Sequence, residues 1–182
     1  MIAHHLNENL HWRFVMNKPQ PTRQEKQFEE GEIIVSKTDL EGKIIYGNRI
    51  FIKLSGYAEH ELLGKSHNII RHPDMPRVIF KCLWDSIQQG KEIIAYVKNL
   101  SKDGSYYWVK AFVTPSFNGK GEIVGYHSIR LKPTEQAISA IGKLYQELLA
   151  LEKKGGIARS QEHLKTILAQ KGVSYEEFVL SL

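Results

Sequence analysis

The densest concentration of chemically capable side chains is the run Ser66-His67-Asn68-Ile69-Ile70-Arg71-His72-Pro73-Asp74-Met75-Pro76. It places two imidazoles, one guanidinium and one carboxylate within eight positions, directly ahead of an amphipathic stretch with helical spacing. Cations at the start of a helix suit phosphate groups, because the backbone donors and the dipole there favour negative charge. The same residues allow a purely structural reading, in which Asp74 caps the helix and Arg71 pairs with a carboxylate. Spacing alone leaves both open. Three further histidines, His4, His5 and His11, cluster at the N-terminus without the spacing of a known metal site. The chain contains no G-x-G-x-x-G, Walker loop, H-E-x-x-H, C-x-x-C or G-x-S-x-G, so the signatures of common enzymes are missing. Its single cysteine, Cys82, excludes an internal disulfide and every cysteine-rich metal centre. Cys82 reads as a packing residue rather than a nucleophile.

The elements that must position this run follow from periodicity. Ile33, Ile34 and Val35 begin a strand, the turn at 40–43 reverses it, and Ile44, Ile45 and Tyr46 return it as a hairpin. Short helical pieces at 48–55 and 59–63 are each stopped by glycine. A longer helix at 75–89, with Asp74 as its N-cap and Pro76 in its first turn, turns Ile79, Leu83 and Ile87 to one side. Strands at 93–100, 106–114 and 123–131 follow, joined by turns at 101–104 and 118–121. Two strands, short helices, one long helix and three strands make an α+β unit with a five-stranded antiparallel sheet and helices on one face. A ligand then belongs between sheet and helices.

The flanks differ. Ile2, Leu6, Leu10 and Phe14 predict a short N-terminal helix, and the two prolines within 17–24 predict a linker. After Pro133, Thr134 caps a helix carrying Ile138, Ile141, Tyr145 and Leu148. Gly155-Gly156 ends it, Ser160 caps a second helix, and Ser174 with Glu177 forms a capping box for a third. The expected organisation is 1–30 as N-terminal helix and linker, 31–132 as the α+β unit, and 133–182 as a helical extension.

With 182 residues, 42% hydrophobic and 25% charged, the chain is long enough to bury roughly 70% of its unfolded surface without disulfides or metal. Disordered, collagenous and coiled-coil-only classes are excluded. A net charge of +5 is compatible with an anionic ligand but is no nucleic-acid footprint. No apolar run reaches the roughly 18 residues of a membrane span, and no signal peptide is legible. A cytoplasmic location is expected.

Residues 31–132 resemble a PAS domain. The resemblance rests on Thr38-Asp39-Leu40-Glu41-Gly42-Lys43-Ile44-Ile45-Tyr46-Gly47-Asn48, on Ser55-Gly56-Tyr57 and on Glu61-Leu62-Leu63-Gly64. More narrowly, the run from His67 to Pro76, together with Val97-Lys98-Asn99, Tyr107-Trp108-Val109-Lys110 and Gly125-Tyr126-His127-Ser128-Ile129-Arg130, is similar to PAS domains of the aerotaxis-receptor type. That resemblance implies bound FAD and a role in reporting respiratory redox state to the chemotaxis machinery. It places Arg71, His72 and Asp74 on positions that FAD binding needs, and His67 and Asn68 in the same pocket segment. Asn99 falls where flavin-binding PAS domains aim an amide at the ring's polar edge. An amide both donates and accepts there. With Asn99 inward, Val97 is expected outward, and Val109, Ala111 and Val113 are expected to face the pocket, with Trp108 and Phe112 on the other face and Ala111 leaving room for a flat ring.

Two positions depart from the relatives. His67 stands where light-sensing members place a reactive cysteine, so no cysteinyl adduct is expected. Ile93 stands where the aerotaxis pattern has tryptophan. Trp84 and Trp108 read as packing residues. The expected partner is a separate membrane-bound chemoreceptor or signalling protein, with homodimerisation through the N-terminal helix or the sheet face and no nucleic acid. The competing readings are a haem-binding gas sensor with His67 or His72 as axial ligand, a ligand-free interaction module, and, last, a flavoenzyme.

Overall fold

A computed structural model describes residues 18–182 of the chain. The expected N-terminal helix and His4, His5 and His11 lie outside the described residues. The hairpin forms from β1 (Ile34–Thr38) and β2 (Ile44–Gly47). Helices α1 (Arg49–Ser55) and α2 (Glu59–Leu62) and a 3₁₀ turn at His67–Ile70 follow, then α3 (Arg77–Ile87). Strands β3 (Ile93–Leu100), β4 (Tyr106–Phe117) and β5 (Ile123–Leu131) complete the sheet, and α4 (Glu135–Lys171) and α5 (Tyr175–Leu180) close the chain. The sheet is antiparallel throughout, in the order β2-β1-β5-β4-β3.

Local chemistry explains the start of each short element. Asn48 caps α1 by accepting from the amide of Phe51 and ties the helix to β1 through the amide of Val35 and the carbonyl of Ile33. Thr134 caps α4, and the Ser174–Glu177 capping box opens α5, both as the sequence predicts. The core lies between the sheet and α1–α3, where Ile34, Ile44, Phe51, Leu62, Ile79 and Ile87 are almost fully buried.

Four local expectations are corrected. Asp74 does not cap α3: the helix starts at Arg77, has no side-chain cap from its own neighbours, and receives one from Glu152 on α4. The 17–24 stretch is no free linker in its described part. The amide of Thr22 bonds the carbonyl of Gly104, and Gln24 and Lys26 bond the backbone of Tyr106. The reason is that β5 pairs with β4 only from Lys110 onward, leaving the edge of β4 at Tyr106 open to these residues. Gly155 and Gly156 end the first helical segment of α4 as the sequence predicts, with non-helical backbone at both and Gly156 at φ 70°, a region that favours glycine, and a second helical segment follows. Ser160 is buried inside the continuing helix rather than at its start. Finally, Val97 faces inward with Asn99, because residues two apart on a strand share a face.

Candidate functional site

Sheet and helices enclose a cavity of about 420 Å³. Its floor is the inward face of β1, β3, β4 and β5, from which Ser36, Val97, Asn99, Ala111, Ser128 and Arg130 project. Its roof is the 3₁₀ turn and α3, with His67, Arg71, Phe80, Leu83 and Trp84. Leu83 belongs to the predicted apolar face of α3, yet it is only half-buried because this cavity lies beneath it. Trp84 meets Tyr126 edge to face at 5.5 Å. Trp84 also packs against the turn at Gly42, whose φ of 77° and contact distance of 3.0 Å leave no room for a side chain. Trp84 is therefore a wall of the cavity as well as a packing residue.

Asn99 is buried at 3% exposure, and its Nδ2 has no partner among the described residues. The backbone bridge between Arg71 and Asn99 sets the 3₁₀ turn against β3. Arg71 reaches back to the carbonyl of Met75 (2.9 Å) and lies 4.5 Å over the ring of Phe80. Ser128 and Arg130 also leave buried polar atoms without partners. Unpaired buried donors and acceptors are costly, and those of Asn99, Ser128 and Arg130 sit on residues lining one cavity. A planar heterocycle with a polar edge and an apolar body fits this donor set: the amide, hydroxyl and guanidinium meet the edge, and Phe80, Leu83, Trp84 and Val97 meet the faces.

The predicted residues divide into two groups. His67, Asn68, Arg71, Asn99 and Ala111 line the cavity together. Val109 is fully buried on the same sheet face but is not among the lining residues. His72 and Asp74 do not reach it. The Asp74 side chain is 61% exposed and pairs with Lys98 at 2.7 Å. His72 is buried, accepts the amide of Asp74 at Nδ1 (3.1 Å) and leaves Nε2 unpartnered. Burial, then the charge of Lys98, pushes its pKa down to about 4 against the opposing pull of Asp74.

His72 opens instead onto a second recess of about 730 Å³ between the start of α3, the described N-terminal residues and α4. Lys18, Arg77 and Lys153 line this recess, and Asn68 and Arg71 line both spaces. Arg71 thus stands at the junction.

The sequence reading missed Arg130, Ser128 and Ser36 as cavity residues. A signal was present: Tyr126, Ser128 and Arg130 alternate along β5, so one inward residue makes all three inward. Cys82 lies outside the cavity, and burial raises its thiol pKa, in keeping with a packing role. Ile93 is buried against Val113 in the β3–β4 register and does not line the cavity.

Residues 44–130 match the family described as the PAS fold, and the chain carries a PAS domain. It is 39% identical over 132 residues to the aerotaxis receptor of Escherichia coli K12, covering 72% of this chain and 26% of that receptor. A nitrogen fixation regulatory protein of Klebsiella oxytoca is 30% identical over 98 residues, covering 54% of this chain and 20% of that protein. The chain thus spans about a quarter or less of these relatives. Among solved structures, the light state of the blue-light photoreceptor Aureochrome1 LOV superposes with a TM-score of 0.52 at 26% identity, covering 65% of this chain and 90% of that one. The five-stranded antiparallel sheet with helices on one face is the PAS/LOV fold, and the domain is of the sensor type. No helix among the described residues is long and apolar enough to cross a membrane.

Proposed function

We propose that this chain is a cytoplasmic FAD-binding redox sensor for energy taxis, signalling to a separate membrane-bound chemoreceptor. In this reading 31–132 is the sensing unit, flanked by 1–30 and by the helical 133–182, and no residue is catalytic. The observation that carries it is the buried Asn99 amide, its Nδ2 without a partner among the described residues, on the wall of a cavity that shares Asn68 and Arg71 with a recess lined by Lys18, Arg77 and Lys153. The flavin ring belongs in the cavity, and the diphosphate and adenosine belong beyond Asn68 and Arg71. FAD supplies reversible electron uptake. Asn99, Ser128 and Arg130 fix the ring's polar edge, Ala111 leaves space for its plane, and the apolar roof excludes water. Similarity to the aerotaxis receptor supports the output.

The test is reconstitution with FAD, FMN or haem, followed by gel filtration and absorption spectroscopy. FAD retained in preference to FMN is the expected result, and Arg71→Ala should weaken FAD by one to two decades through lost charge-assisted bonds. A Soret band, or no retained chromophore, overturns the reading in favour of a haem sensor or a ligand-free module.

A further inference from the structure

Arg130 carries a buried charge that no described residue balances. Its exposure is 5%, and its guanidinium lies 5.4 Å over the ring of Phe51. Nη2 donates to Ser36 Oγ at 2.7 Å and meets His67 Nε2 at 2.8 Å, while Nη1 has no partner. A guanidinium has no lone pair to offer, so His67 Nε2 must be the acceptor and the imidazole is neutral with its proton on Nδ1. Burial and then Arg130 itself push His67 down to about 3. The remaining groups facing Arg130 are neutral at pH 7 as well. Burial raises the phenol of Tyr107 on β4, and burial lowers His127 on β5. Glu41, a carboxylate that lines the cavity, pairs with Lys43 instead. Burial lowers Arg130 to about 10, which leaves it charged at neutral pH. An isolated charge in such surroundings is costly unless a ligand brings the opposite sign.

We propose that Arg130 is the counter-charge of the cavity, holding a reduced flavin as its anion so that two electrons enter with one proton instead of two. This rests on the FAD reading. Two electrons from an external one-electron donor, dithionite in the test below, and one proton from solvent reach the oxidised ring. The proton goes to N5, N1 stays unprotonated, and the added negative charge remains on the ring system. The oxidised ring is neutral and leaves Arg130 uncompensated, whereas the reduced ring compensates it. The protein therefore binds reduced FAD more tightly than oxidised FAD. That difference is what a ligand needs in order to shift a conformational equilibrium. The contacts Arg130–Ser36 and Arg130–His67 join β5 to β1 and to the 3₁₀ turn, so the charge change acts on the sheet directly.

The experiment is a midpoint titration of FAD-loaded wild-type protein, Arg130→Lys and Arg130→Met with dithionite and mediator dyes between pH 5.5 and 6.5, with free FAD as control. This window lies above the titration of His67 and His72. Wild type and Arg130→Lys should take up one proton per two electrons, while Arg130→Met should take up two and show a lower midpoint. Reduced FAD should bind Arg130→Met at least tenfold more weakly than wild type, a larger loss than oxidised FAD shows. Two protons per two electrons in the wild type overturns the inference whatever the variants do. So does an Arg130→Met protein with wild-type midpoint and proton count. If Arg130→Met does not fold, Arg130→Gln takes its place under the same criteria. A wild-type protein that takes up no FAD at all removes the FAD reading itself, and this inference with it.

Discussion

The carboxylate of Glu152 on α4 accepts the backbone amides of Arg77 (3.0 Å) and Val78 (2.9 Å) at the start of α3. The helix that roofs the cavity is thus capped from the C-terminal arm. Pro76, at the N-cap position, offers no side-chain acceptor, so two of the amides exposed at any helix start depend on a residue 74 or more positions away. The Nε of Arg77 reaches the same carboxylate at 3.3 Å, and Ser160 Oγ lies 3.2 Å from it. The kink at Gly155 and Gly156 folds the chain so that Ser160 can meet Glu152 from the other side. Roof helix, arm and kink therefore share one buried acceptor.

Replacing Glu152 with alanine should cost about 2 kcal/mol, the range for losing a cap and leaving buried donors unpaired. For a chain of this size that lowers Tm by roughly 4–8 °C. Glu152→Gln retains one acceptor oxygen and should lose less. Thermal unfolding measures both, and hydrogen exchange should show faster exchange at the amides of Arg77 and Val78 in the alanine variant. A Tm within one degree of wild type with unchanged exchange there shows that the cap contributes nothing.

Acid should destabilise the protein earlier than its carboxylates alone dictate. His67 and His72 are lowered from 6.5 to about 3 and about 4, chiefly by burial. Below pH 6.5 the unfolded chain takes up protons at these sites while the folded chain does not, so stability present above pH 6.5 is lost as pH falls toward 4. Each histidine contributes a slope approaching about 1.4 kcal/mol per pH unit, and the lowered pKa of His127 acts in the same direction. His67→Gln keeps an acceptor for Arg130, and His72→Asn keeps one for the amide of Asp74. Urea titrations between pH 6.5 and 5 should therefore show a flatter decline in the double variant. An unchanged slope contradicts the assignment of two neutral, buried imidazoles.

Ala111 tests the cavity by volume alone. It is 2% exposed and lines the floor beside Val97 and Val113. Ala111→Phe places a ring in the space reserved for the ligand. Filling an existing cavity brings little of the usual overpacking penalty, which is about 1–3 kcal/mol in a full core. The expected outcome is a folded protein with Tm near or above wild type and no flavin uptake. Undiminished uptake shows that the ligand lies elsewhere.

The elements were legible wherever a local pattern decides them. Thr134 and the Ser174–Glu177 pair act within three residues of their own positions, and their caps form as the sequence predicts, whereas Asn48, expected inside its helical piece, is that helix's N-cap. Asn99 was legible because a recognisable motif and strand alternation coincide there. The cap of α3 was not, because Asp74 had the right type and nearly the right position while the group that takes the role is Glu152, brought in by tertiary packing. Arg130 was read as part of a motif without a role. A guanidinium near the end of a strand ordinarily faces water; alternation with Tyr126 and Ser128 was the available signal, and the central place of β5 in the order β2-β1-β5-β4-β3 is visible only in the structure. His72 and Asp74 sit in the most specific stretch of sequence, yet the turn between the 3₁₀ segment and α3 points them toward the recess and Lys98.

On the proposed function, the expected route from cavity to partner runs through β5 and α4. Arg130 and Ser128 lie on β5, which leads through the short link Lys132-Pro133-Thr134 into α4. On the far side of the sheet Tyr145 of α4 donates to the carbonyl of Tyr96 at 2.7 Å and lies 6.2 Å from Trp108. The helix is therefore docked on β3 and β4 while being tethered to β5. If the charge facing Arg130 changes on reduction, the expected effect is on the strand that holds one end of α4, with Tyr145 carrying it to the other. Hydrogen exchange on oxidised and reduced FAD-loaded protein should show differences near Asn99 and also across 123–153. Tyr145→Phe, which removes one hydrogen bond worth about 1 kcal/mol, should shrink the difference in 134–153 while leaving that near Asn99 intact. A redox difference confined to the cavity in wild-type protein rules out this route, and the outward signal must then leave through β1 and the hairpin instead.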